Sequence, residues 1–405
     1  MILEFSIENT LSILSKSVVS FEQQEVSENT IRVGSKNISK VKCIYGDNGS
    51  GKTNLIHAFN FYLDFLLNSF SQLEPNESTH FVPFQFNDVS QKLPGKFSIV
   101  FFVDAIRYDY ELIINKEKVI SESLYFAPNG QKSLLYNREE KNIKWGTSFS
   151  GAKKLIADTT RYNCSILSVA AQLNNQTLLP IYTSIRKSYK GFVSPEKGGL
   201  TGYTLSRIEE NSDFKKTVIS MLQEVNNSNI SDIIVHSKAI PQEYLDELPQ
   251  EIRAKLLKKN AIPKNRKAIL IHSYDKEYEL PLELESRGTQ RLLELATPMY
   301  DLTHTHSFLM IDELETSLHP KVQKRFISDF LKNEMSSQIL ITTHNTDLID
   351  SGLFSDSEIC FALKDKSGNT QIHSITDFTG VRKGVSRKHM YEAGKFDQIP
   401  SKVRK

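Results

Sequence analysis

The stretch Gly46-Asp47-Asn48-Gly49-Ser50-Gly51-Lys52-Thr53 fits the pattern G-x-x-x-x-G-K-[ST] at every fixed position. Glycines at these spacings let the backbone turn tightly, so that successive N–H groups point inward at phosphate oxygens. Lys52 supplies a fixed positive charge for β- and γ-phosphates, and the Thr53 hydroxyl is a ligand for Mg²⁺. Val41–Tyr45 reads as a short buried strand before the loop. Asn54–Phe61 reads as a helix after it, with its N-terminus aimed at the phosphates. A Gly-rich turn alone would explain the glycines but not the strand, lysine and helix in this order. The loop predicts a phosphate-binding site made of Gly46, Asn48, Gly49, Ser50, Gly51, Lys52, Thr53 and Asn54.

A chain of 405 residues buries a large core and accommodates two or three lobes. Its 39% hydrophobic and 24% charged residues are those of an ordinary globular protein, and the net charge of +2 points to no particular partner. Cys43, Cys164 and Cys360 are far apart, sit among apolar residues and have no zinc spacing, so they read as reduced core cysteines of a cytoplasmic protein. The start Met1-Ile2-Leu3-Glu4-Phe5 carries charge too early for a signal peptide, and the apolar run Phe97–Val103 is too short to span a bilayer. No membrane contact is expected.

Residues 2–9 alternate apolar and polar, as in a half-buried strand. Phe97–Phe102 and Tyr108–Ile114 read as strands paired around a turn at Asp104-Ala105. Two more strands are expected near 118–126 and 132–136, around Pro128-Asn129-Gly130. Together they predict an antiparallel β layer. Residues 151–175 and 203–226 carry helical periodicity, and prolines 241, 249 and 263 then break the pattern. No heptad persists for three repeats, which argues against a long coiled coil. After strand character at 268–284 and a helix at 285–302, strands and helices alternate: Ser307–Ile311, Pro320–Asn333, Gln338–Thr342, Thr346–Ser351 and Glu358–Lys364. Such alternation implies a parallel, helix-covered sheet. The expected organisation is an α/β fold with an N-terminal lobe at 1–150, a helical insertion at 151–265 and a C-terminal lobe at 266–405.

Phe308-Leu309-Met310-Ile311 is a buried strand that delivers Asp312 and Glu313 at its C-terminal end, where ligands bind in open α/β sheets. Asp312 suits a magnesium-organising role, and Glu313 suits a base that orients and deprotonates water. The strand Gln338–Thr342 ends in Thr343-His344-Asn345, which makes His344 a candidate sensor of the γ-phosphate.

A phosphate loop near the N-terminus, a distant Asp-Glu strand and a strand ending in His resemble the ABC-type ATPase heads. The resemblance implies ATP and Mg²⁺ as ligands, slow hydrolysis and two composite sites in a homodimer or higher homo-oligomer. In that family a signature motif completes the site of a second subunit. Glu285-Ser286-Arg287-Gly288-Thr289-Gln290-Arg291 stands in its place, with Ser286 and Gly288 facing the γ-phosphate across the interface. Ser-Arg-Gly-Thr-Gln departs from the usual Leu-Ser-Gly-Gly-Gln. Leu314–Pro320 resembles the dimer-contacting D-loop. Its Leu-His-Pro ending is similar to the branch that holds the overcoming-lysogenisation-defect ATPases and the bacterial defence ATPases. Pro83-Phe84-Gln85-Phe86, Arg107–Tyr110, Leu167–Asn174 and Tyr391–Pro400 are similar to abortive-infection, anti-phage ATPases encoded beside a toxin or nuclease. By the same resemblance Gln85 is a magnesium-coupled residue. Leu11 stands where relatives carry a basic residue.

The resemblance implies an ATPase subunit that senses phage infection and controls a partner toxin or nuclease. An SMC-like ATPase for DNA repair or tethering is the alternative, and missing heptads argue against it. An intrinsic nuclease would draw on Asp347, Asp350, Asp356, Glu358 and Asp365, but no whole extra domain fits. A transporter ATPase is disfavoured by the Leu-His-Pro ending. Two basic clusters, Arg253–Lys267 and Arg382–Lys405, are candidates for DNA or RNA backbone contact, without aromatic interleaving for base stacking. A solvated helix face, a partly ordered tail or a protein-docking surface explains them as well.

Overall fold

The computed structural model describes residues 1–195, 200–226, 228–239, 264–381 and 384–400. The chain starts with β1 (Ile2–Glu8) and β2 (Ser17–Ser20), a hairpin of β3 (Thr30–Val33) and β4 (Lys36–Ser39), and β5 (Val41–Tyr45), which leads to α1 (Lys52–Gln72). There follow β6 (Gly95–Val103), β7 (Ile106–Ile114), β8 (Val119–Ala127), β9 (Ser133–Glu139) and β10 (Asn142–Trp145). Three helices come next, α2 (Lys153–Thr159), α3 (Ile166–Gln172) and α4 (Leu179–Ser188), then β11 (Tyr189–Val193). The middle of the chain holds α5 (Leu200–Glu210), α6 (Ser212–Asn226), β12 (Ile230–Ala239), β13 (Lys264–Ser273), β14 (Glu277–Pro281) and α7 (Arg287–His304). The remainder is β15 (Phe308–Ile311), α8 (Pro320–Lys332), β16 (Gln338–Thr342), β17 (Ile359–Lys364), β18 (Thr370–Ser374) and α9 (Arg387–Glu392).

Two compact units emerge. The first comprises Met1–Ser194, Thr305–Leu314 and Leu331–Lys405; the second, Pro195–His304 and Glu315–Phe330. These are not the boundaries at 150 and 265 expected from sequence, because strands from both ends of the chain pair in one sheet. In the first unit a six-stranded sheet has the order β11-β15-β16-β5-β17-β18, parallel except for the edge strand β18. A seven-stranded antiparallel sheet runs β10-β9-β8-β7-β6-β1-β2. The β6–β7 turn places Asp104 and Ala105 at φ 48° and 63°, the twist that a two-residue hairpin requires.

Helix α1 is apolar around most of its circumference, as befits a helix covered on opposite sides. The Phe59 ring stacks on Phe5 of the antiparallel sheet at 3.7 Å and meets Phe308 of the parallel sheet at 5.3 Å. Leu55, Ile56, Phe59, Tyr62 and Leu66 are fully buried, and each such side chain contributes about 1.5–3 kcal/mol. Glu122, on β8, is a buried polar hub. It accepts hydrogen bonds from Tyr110, from Tyr136 (2.9 Å) and from the Ile166 N–H that opens α3, and it pairs with buried Arg138. The phenols of Tyr110 and Tyr136 are pushed well above their usual range, by burial first and then by the Glu122 charge. All three cysteines are free and buried.

The second unit contains α5, α6 and α7 with a three-stranded antiparallel sheet, β12-β13-β14. The helical insertion expected over 151–265 thus includes strand β12, whose Ile233-Ile234-Val235 supply β-branched residues. The helix expected over Thr346–Ser351 is only a 3₁₀ turn, Thr346–Leu348. Among the described residues the longest helix is α1, with 21 residues. No helix among them is long and apolar enough to cross a membrane.

Candidate functional site

The phosphate loop joins fully buried β5 to α1. Gly46 sits at φ 151°, and a Cβ there would lie 2.6 Å from the Ala362 carbonyl oxygen. Gly51 sits at φ 102°, and its Cβ would lie 2.2 Å from Thr370 Oγ1. Both positions demand glycine, because β17 and β18 close off the back of the loop. Thr370 Oγ1 lies 2.8 Å from the Ser50 carbonyl and 2.9 Å from Ser12 Oγ. Lys364 Nζ donates to the Gly49 carbonyl at 3.0 Å. Gly51 is the N-cap of α1 and offers no side-chain cap; a helix N-terminus of this kind suits an anion. Lys52 Nζ, on the buried Lys52 side chain, donates to the carbonyls of Gly46 (2.8 Å) and Asp47 (3.0 Å). Ser50 Oγ is buried and has no hydrogen-bond partner.

Strands β15, β16 and β5 are parallel neighbours, with Ile311 beside Ile341 and Ile341 beside Cys43. The residues that follow each strand therefore gather at one edge of the sheet: Asp312-Glu313, Thr343-His344 and the phosphate loop. Buried Asp312 accepts a 2.5 Å hydrogen bond from Thr342 Oγ1. The same hydroxyl accepts the Glu313 N–H at 2.9 Å, and the Leu314 N–H reaches the Thr342 carbonyl at 3.1 Å. Glu313 has φ 48°, a conformation costly for a residue with a Cβ and maintained here by those bonds. The Thr343 N–H donates to the Ile44 carbonyl at 3.1 Å, so the His344 turn is tied to the strand that carries the loop. His344 is exposed. Thr342, Ser12, Thr370 and Lys364 were not singled out from sequence. The pair Thr342-Thr343 at a buried strand end was the signal available for the first; the other three act across more than 300 residues.

The residues suit a magnesium nucleotide. Ser50 Oγ is an orphaned polar atom inside the loop, and the loop's cradle excludes any side chain at Gly46 and Gly51. Among the described residues no three His, Cys, Asp or Glu side chains converge on one point. Mg²⁺ bound chiefly by phosphates and water needs only one carboxylate and the Thr53 hydroxyl.

In the second unit Ser286 is the N-cap of α7. Its Oγ accepts the Thr289 N–H at 3.1 Å, and its carbonyl accepts the Gln290 N–H at 3.0 Å. A Cβ on Gly288 would lie 3.3 Å from the carbonyl of Ser317, so the D-loop stretch packs on the first turn of this helix.

Gln85 is exposed and donates to the Pro83 carbonyl at 2.6 Å. The ring of its neighbour Phe86 would lie 3.0 Å from a Cβ on Gly368, in the β17–β18 turn. That turn follows β17, the neighbour of β5 opposite β16. Leu11, at φ 52°, bonds through its N–H to the Val82 carbonyl. Of the two basic clusters, Arg253, Lys255, Lys258, Lys259, Arg382, Lys383, Lys402, Arg404 and Lys405 lie outside the described residues. Several of the others are engaged by carboxylates: Arg266 with Glu209, Arg387 with Asp356 and Lys388 with Asp347.

The family model described as "AAA domain, putative AbiEii toxin, Type IV TA system" matches residues 42–350. No curated protein matches the chain. Among solved structures, an SMC head domain from Thermotoga maritima is 14% identical, covering 92% of this chain and 98% of its own, with a TM-score of 0.43. An SMC head bound to the C-terminal winged-helix domain of ScpA is 15% identical, covering 92% and 97%, with a TM-score of 0.45. Both likenesses are too distant to carry an assignment. The match over most of the chain, on a fold that gathers loop, carboxylates and histidine at one sheet edge, places this protein in that AAA-domain family, as an ATPase.

Proposed function

We propose that two copies of this chain close over two ATP molecules and that the closed state controls a partner toxin or nuclease during phage infection. The observation that carries the ATPase half is the convergence of the phosphate loop, Asp312-Glu313 and His344 at the ends of three adjacent parallel strands. Loop N–H groups, Lys52 and Ser50 hold the phosphates. Mg²⁺ bound there supplies charge neutralisation, and Thr53 and Asp312 are the residues that would hold it. Glu313 takes a proton from water as the water oxygen bonds to the γ-phosphorus and the bond to the bridging oxygen breaks, giving ADP and phosphate. His344 holds the γ-phosphate oxygens. Ser286 and Gly288 of the other copy complete the site through a helix N-terminus.

The family's description, which names a toxin and a Type IV toxin–antitoxin system, supports the defence half. Tethering of DNA needs a long arm, and the described helices supply none. The reading is tested by plaque counts on cells that carry the gene with its genomic neighbours. Wild type should protect, while Lys52→Ala and Glu313→Gln should both lose protection or kill uninfected cells. Protection that survives both substitutions would overturn it.

A further inference from the structure

Immediately before the Ser286 cap stands Glu285, a carboxylate at the mouth of a helix N-terminus. A glutamate in that place is drawn to the positive end of the helix. That end is also where a phosphate would bind. In this chain Glu285 does not fold over it. Its Oε1 lies 2.6 Å from His272 Nε2, with the two side chains only 7% and 14% exposed. His272 comes from β13, and the Tyr274 ring lies parallel to the imidazole, 4° apart in plane with centroids at 6.2 Å. From below, Gln290 Nε2 donates to the carbonyls of Leu282 and Glu285, both at 3.0 Å. The β13–β14 sheet thus grips the residue that would otherwise compete for the anion site.

We propose that His272 is a positioning residue for the composite nucleotide site: it sequesters the Glu285 carboxylate and so keeps the N-terminus of α7 open to the γ-phosphate of the partner's ATP. The inference rests on the composite-site reading above. His272 touches neither nucleotide nor water; it acts through Glu285.

The experiment uses the full chain carrying Glu313→Gln, which should accumulate as a dimer when ATP is added, with light scattering for assembly and a fluorescent ATP analogue for binding to the monomer. Adding His272→Ala frees the carboxylate and should weaken ATP-dependent dimerisation about tenfold, with nucleotide affinity of the monomer unchanged. The double change His272→Ala/Glu285→Gln should restore the parent dimer to within about twofold, because the competing charge is gone. His272→Gln, which keeps a donor for the carboxylate, should behave as the parent does even if the alanine variant folds poorly. Dimerisation unaffected by His272→Ala would overturn the inference, as would a double variant no better than the single. If the parent itself fails to dimerise with ATP, the composite-site reading falls and this inference with it. That failure is visible before any change at position 272.

Discussion

Thr342 is fully buried, and its single hydroxyl holds both acidic residues of the site: it donates to the Asp312 carboxylate at 2.5 Å and accepts the Glu313 backbone N–H at 2.9 Å. Thr342→Val keeps the shape and removes both bonds. A hydrogen bond to a charged group is worth about 1.5–3 kcal/mol, and a buried N–H left unmade costs about 1–3 kcal/mol. The valine variant should therefore lose roughly 3 kcal/mol in urea unfolding. Thr342→Ser keeps the hydroxyl and should lose only about 1 kcal/mol for the missing methyl. Turnover should separate the two further, because outer-shell partners of this kind typically govern about 10–100-fold of activity. The valine variant should fall by that factor in kcat, with ATP affinity at the phosphate loop retained; the serine variant should stay near wild type. Equal stability and equal kcat for the two variants would refute the view that this hydroxyl orders the Asp312-Glu313 turn.

Gly51→Ala should cost more than about 2 kcal/mol and abolish nucleotide binding measured by calorimetry, since its Cβ would strike Thr370 at a left-handed φ. Glu122→Ala leaves the Arg138 cation buried without its carboxylate and should destabilise the first unit by about 3–5 kcal/mol, measured by denaturant unfolding. The Tyr391 phenol is pushed up to about 12, by burial first and then by the charges of Asp47 and Asp397. An ordinary phenol in the unfolded chain ionises near about 10, so the folded chain holds this proton longer. That stabilisation is complete below the unfolded value and is lost as pH rises from about 10 towards 12. Tyr391→Phe should therefore flatten the fall of the urea midpoint over that window.

What the sequence made legible was local. Glycines with a fixed lysine, an apolar run ending in two acids and a hairpin at Asp104-Ala105 each depend on a few adjacent residues, and the structure has them where they were expected. The latch of Ser12 and Thr370 behind the loop joins residues 358 apart, and no short-range pattern encodes such a pairing. Strand β12 was hidden because nearby prolines suggested only breaks, whereas its partner β13 supplies the register. The Thr346–Ser351 helix shrank to one turn: Asn345 caps it by accepting the Asp347 N–H, but no apolar repeat of helical length follows. Gln85 was placed by resemblance alone; the structure sets its neighbour Phe86 against the β17–β18 turn.

The central claim is a catalytic glutamate inside an ATP-closed dimer. Its most direct test is the mass and turnover of Glu313→Gln beside wild type, with and without ATP and Mg²⁺. The account predicts that the variant loses turnover and accumulates as an ATP-dependent dimer or larger assembly. Turnover that persists in the variant, or a mass that ignores ATP, would contradict it.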